Sequence, residues 1–84
     1  MSEEITGWVT VLGAGRSGRA VTERLAADAA RGVDVHVTLV DSASDAALEA
    51  HTAALGGPHV TIELASDVVP ARTTLVVASP GLAP

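Results

Sequence analysis

The 84-residue chain predicts an α/β fold, a Rossmann-like parallel sheet of about four strands flanked by helices. Three observations carry this. Strand-like and helix-like stretches alternate along the chain, as parallel sheets require. A glycine-rich turn joins the first strand to the first helix. Firm stop signals, Gly32, Asp41-Ser42 and Gly56-Gly57-Pro58, separate the later elements.

Residues 1–7 read as a lead-in, with Gly7 the last flexible point before the sheet. Residues 8–12 are β-branched and apolar, bounded by glycine, and predict a short buried strand. A helix follows over 17–31, because Val21, Leu25 and Ala29 recur every four residues with Gly18 one turn earlier. Arg31 complements the dipole of that helix and Gly32 suits its C-terminal cap. Residues 34–40 form the second strand, with Val35, Val37 and Leu39 on one face and His36, Thr38 and Val40 on the other. Ser44 or Asp45 caps a second helix running to about residue 55, stopped by the Gly-Gly-Pro run. Residues 59–64 alternate as a third strand, 66–67 begin a brief helical turn before Pro70, and 73–78 form a near-continuously apolar fourth strand. The order implies right-handed crossovers with helices on both faces of the sheet. A fourth strand as apolar as Leu75-Val76-Val77-Ala78 makes a poor edge. It points to self-association there, or to a domain cut from something longer.

Composition narrows the partners. The chain is a single domain over 1–84, its core aliphatic because Trp8 is the sole aromatic residue. A net charge of −5 offers no basic surface for a nucleic-acid backbone or an anionic membrane. Cysteine is absent, the acidic start lacks the features of a signal peptide, and no apolar run is long enough to cross a bilayer. A cytoplasmic location follows as the default. His36, His51 and His59 share no metal-ligand spacing, and neither a nucleophilic triad nor a carboxylate pair is suggested, so no catalytic or metal residues are assigned.

The chemistry-bearing stretch is Gly13-Ala14-Gly15-Arg16-Ser17-Gly18. The G-x-G-x-x-G pattern after a strand and before a helix suits a nucleotide's phosphates. Gly13 serves the tight turn, Gly15 lets the backbone approach an anion, and Gly18 lets the helix pack near the sheet. The helix directs its free N–H groups at the same place, and Ser17 either caps it or donates to a phosphate. Arg16 lies along the phosphates or stands in solvent. Asp41, 23 positions beyond Gly18, is placed to accept hydrogen bonds from a ribose or a base; its competing role is to cap the second helix. Ser79-Pro80-Gly81 follows the fourth strand, where open α/β sheets also meet ligands.

Taken together, Val11-Leu12-Gly13-Ala14-Gly15-Arg16-Ser17-Gly18, Val40-Asp41-Ser42 and Leu75-Val76-Val77-Ala78-Ser79-Pro80-Gly81 resemble the amino-terminal domain of the Mur ligases, nearest to the D-glutamate-adding branch. Ser-Pro-Gly after an apolar strand is the discriminating element. The resemblance implies a domain that binds the uridine diphosphate part of UDP-N-acetylmuramoyl-L-alanine in cytoplasmic peptidoglycan precursor synthesis. Asp41 and Ser42 would read the uracil. Gly15, Arg16, Ser17 and Gly18 would hold the diphosphate, and Ser79 and Gly81 would border the diphosphate and amino-sugar. It implies no cofactor in this domain. ATP and Mg2+ belong to a central domain in that family, where an acyl phosphate forms before D-glutamate attacks. The chain has no lysine and no G-x-x-x-x-G-K-[ST] sequence, so alone it is expected to be inactive. Two other readings stand beside it. One is an NAD(P)-binding Rossmann module of a dehydrogenase or nucleotide-sensing regulator; the other is an α/β interaction domain whose glycine turn is structural.

Overall fold

A computed structural model describes residues 5–78. The elements are β1 (Gly7–Leu12), α1 (Arg16–Ala30), β2 (Val35–Asp41), α2 (Ala46–Ala53), β3 (Val60–Leu64) and β4 (Leu75–Ala78). All strands are parallel, in the order β3-β2-β1-β4. The register aligns Val9 with Val37 and Leu75, and Val37 in turn with Val60. The four strands therefore end at one edge, and the loops that follow them share it.

The period-two pattern divides the sheet into two unlike faces. Val9, Val11, Val35, Val37, Leu39 and Val60 are buried on one face together with Leu25 and Ala29 of α1. Burying a valine or leucine contributes about 1.5–3 kcal/mol, so this face dominates the stability. Leu48 and Leu55, from α2 and its C-terminal turn, pack against the same cluster. Both described helices thus lie on one face, where the sequence had suggested helices on both. The strand order explains this. The steps from β1 to β2 and from β2 to β3 run in one direction, and crossovers of one hand then share a face.

The other face is crossed by the link 65–74, which contains no helix, and the helical turn expected at 66–67 is absent. Distance supplies the reason. With neighbouring strands about 4.8 Å apart, the chain must travel about 14 Å sideways from β3 to β4, besides returning along the strands. Coiled as a helix, ten residues reach only about 15 Å. The link is therefore extended and turns late, where the Thr73 N–H donates to the Pro70 carbonyl at 3.0 Å. It covers part of the sheet, and the Thr73 and Thr10 hydroxyls meet at 2.7 Å.

Trp8 was expected within a buried strand but is 37% exposed, because it points to this helix-free face. It stacks on His36 at 4.2 Å between ring centroids, and the Arg72 guanidinium lies 4.3 Å from its ring. Element ends also differ from the sequence reading by a residue or two, as frayed termini do. The largest changes, of two residues, are at α2, which stops at Ala53, and at β4, which begins at Leu75; α1 begins at Arg16 with Gly15 as N-cap.

Candidate functional site

The site is built at the carboxyl edge, starting from the glycine turn. Gly13 has φ +100°, a conformation that favours glycine, and its N–H continues the ladder by donating to the Val40 carbonyl at 2.7 Å. Gly18 is required by contact: a Cβ there would lie 1.8 Å from the Gly13 carbonyl oxygen. The sequence assigned Gly18 to close packing of the helix near the sheet; the tightest approach is to the turn, with Val11 Cγ1 of β1 next at 3.4 Å. Gly15 differs from both. Its φ is −71°, open to any residue, and a Cβ there would meet nothing within 4 Å. The fold does not demand a glycine at 15, and the space beside it stands open at the start of α1.

That helix start is electrostatically unspent. Gly15 contributes no side-chain cap, and the first turn carries no acidic residue. Ser17 lies inside the helix, so it is not the cap, and its hydroxyl bonds to no other described residue. Among the described residues no side chain caps the positive end of α1, a position whose N–H groups and dipole suit an anion. Arg16 lies in a groove of about 350 Å³ between α1 and α2, shared with Arg19 and His51. Among the described residues Arg16 and Arg19 form no ion pair, whereas Arg24 and Arg31 both pair with the buried carboxylate of Asp28.

Asp41 ends β2 and joins three loops. One carboxylate oxygen accepts the Ala14 N–H at 2.7 Å, the other accepts the Ala43 N–H at 2.8 Å, and its carbonyl accepts the Ser66 N–H at 3.0 Å. Asp41 does not cap α2. Asp45 does, accepting the Leu48 N–H at 2.8 Å. Beside Asp41 lies a groove of about 210 Å³, with Leu12 and Val40 as apolar lining and Asp41, Ser42, Ser66 and Asp67 as polar lining.

The structure thus brings together Gly15, Arg16, Ser17, Gly18, Asp41 and Ser42 around one edge. Ser79 and Gly81, also expected to contact the ligand, lie outside the described residues. Ser66 and Asp67 were missed by the sequence reading. The signal was available, since they follow the third strand at the same edge, but assigning 66–67 to a helical turn concealed it. His36 and His59 stand near each other, at 5.4 Å between ring centroids, and His51 lies on α2. In comparisons with protein-family models, curated proteins and solved structures, nothing matches this chain.

Proposed function

We propose that the chain binds a nucleoside diphosphate, and that its ligand is the UDP part of a UDP-linked wall precursor, as the resemblance to the D-glutamate-adding Mur ligases implies. One observation carries this reading. An uncapped helix start, with open space at Gly15, adjoins a groove lined by two carboxylates. Such an arrangement suits a ligand with opposite chemical needs at its two ends. The diphosphate sits at the N–H groups of α1, where the helix dipole attracts it. The nucleoside, carrying ring N–H and ribose hydroxyl donors, sits in the acid-lined groove, which would repel phosphate. At about 210 Å³ the groove accommodates part of a ligand and not the whole of it. The domain binds and orients the substrate. ATP-dependent ligation would rest on a P-loop, Mg2+ and a lysine that the 84 residues do not supply.

A second reading keeps a specific basis. The strand order β3-β2-β1-β4 and a carboxylate ending β2 are equally the geometry of NAD(P) binding. Calorimetric titration with UDP, NAD, NADP and pyrophosphate separates the two. The account expects UDP to bind more tightly than NAD, NADP or pyrophosphate, with binding of UDP and pyrophosphate lost in Gly15→Ala. Preferential binding of NAD or NADP would replace it with the dinucleotide reading. No binding by any of the four would leave the glycine turn a structural device.

A further inference from the structure

Within the proposed nucleotide site, we infer that Arg19 is a further binding residue, acting with Arg16, and that it selects for the outer phosphate of the diphosphate. The inference rests on the nucleotide reading above and adds a specificity-determining side chain to it. It starts from an arrangement that runs against the electrostatics of a helix. Acidic residues favour the positive start of a helix, and basic residues favour its end. The chain holds ten acidic residues and five basic ones, all arginine. Two of those five, Arg16 and Arg19, fall within the first four residues of α1, whose first turn has no acid and whose last turn has no base. A local preference inverted in this way marks a place shaped by something other than folding stability.

The direction of Arg19 says what that is. Side chains of a helix lean towards its start, and the Arg19 Nε–H reaches the Gly15 carbonyl at 3.4 Å. That carbonyl already accepts the Arg19 backbone N–H at 2.9 Å. The second, longer contact therefore sets the guanidinium beside the helix start and leaves its Nη groups without a partner among the described residues. The other arginines differ: Arg24 and Arg31 pair with Asp28, and Arg72 lies over the Trp8 ring. Arg16 and Arg19 line a groove of about 350 Å³, with His51 facing them from α2. Glu23, the acid in that lining, lies a turn beyond Arg19 on the side its guanidinium leans away from, and forms no ion pair among the described residues. An arginine four residues before a glutamate is also the weaker order for such a pair. A guanidinium offers N–H groups in a fork that matches two phosphate oxygens, and the open space at Gly15 lies next to it. The acid-lined groove reaches Gly13, whereas the arginine groove begins at Arg16. A ligand laid along the turn thus gives its inner phosphate to the helix N–H groups and its outer phosphate to the arginines.

Calorimetric titration of the 84-residue chain with UDP and UMP tests this. The wild type is expected to bind UDP about ten-fold tighter than UMP or better, the scale of a charged hydrogen bond. Arg19→Gln should lose most of that preference, with UMP binding nearly unchanged, and Arg19→Lys should keep part of it as a charge without the fork. In the unliganded chain Arg19→Gln should leave the urea midpoint equal or raised, because it removes a cation from the positive end of α1. A wild-type UDP-to-UMP ratio in Arg19→Gln overturns the assignment. Equal loss for both probes with a lowered midpoint also overturns it, since Arg19 is then structural. A wild-type chain that binds both nucleotides alike overturns the outer-phosphate assignment and leaves the nucleotide reading standing. UDP binding no tighter than pyrophosphate overturns the nucleotide reading alone. Arg19 is then judged on pyrophosphate against inorganic phosphate: a preference for pyrophosphate lost in Arg19→Gln supports it, and one retained overturns it. A wild type that binds none of these probes overturns both.

Discussion

The three glycines of the turn do different work, and single substitutions distinguish them. Gly18→Ala forces a Cβ to within 1.8 Å of the Gly13 carbonyl oxygen, so the turn or the start of α1 must move. Overpacking of this kind costs about 1–3 kcal/mol, and contact with backbone leaves no flexible side chain to yield. Urea denaturation should show that loss as a lower midpoint with an unchanged slope. Gly15→Ala meets no atom and adopts an ordinary φ, so its stability cost is at most about 1 kcal/mol, from losing a favourable N-cap residue. Its effect falls on ligand binding, because the added methyl enters the space an anion would use. A Gly15→Ala chain that is stable and still binds UDP at wild-type strength would show that this space is not the phosphate site. Gly18 was legible in the sequence because its spacing from Gly13 reports a contact within one strand–turn–helix unit. The double use of the Asp41 carboxylate was not, since it depends on β1 and β2 being neighbours in register.

The two helices should differ in persistence. Helix α1 has fifteen residues, a buried stripe through Gly18, Thr22, Leu25, Asp28 and Ala29, and a Schellman ending at Gly32. In that ending the Gly32 and Val33 N–H groups donate to the Ala29 and Asp28 carbonyls, with Gly32 at φ +101°. Helix α2 has eight residues and buries only Thr52, so its cap carries a larger share of its stability. Replacing Asp45 with Ala should cost about 1 kcal/mol. Native-state hydrogen exchange should report that loss as faster exchange across α2, with α1 amides unaffected. The strands and α1 could be read from local periodicity, as the alternation Val35, Val37, Leu39 and the four-residue repeat Val21, Leu25, Ala29 show. The link 65–74 was misread because its conformation is set by the distance it must cross, which follows from strand order. The exposure of Trp8 has the same origin, since periodicity assigns a residue to a face but does not say what covers that face.

At the scale of the molecule the helices cover one side of the sheet over β1, β2 and β3, and β4 and the other side are sparsely covered among the described residues. Both helices protect the Val9–Val37–Val60 face, while β4 leaves Leu75 40% and Val76 47% exposed at an edge bearing no charge. Unprotected edges of this kind pair with further strands. Sedimentation velocity should therefore show concentration-dependent self-association, reduced in Val76→Lys; a monomer at every concentration would contradict that. The central claim concerns the opposite property, a built and selective edge where the loops after β1, β2 and β3 meet. Amide chemical-shift mapping during a UDP titration tests it most directly. The account predicts saturable shifts at residues 13–18, 41–43 and 66–67, with NAD producing weaker ones. Shifts absent from the glycine turn, or larger with NAD than with UDP, would contradict it.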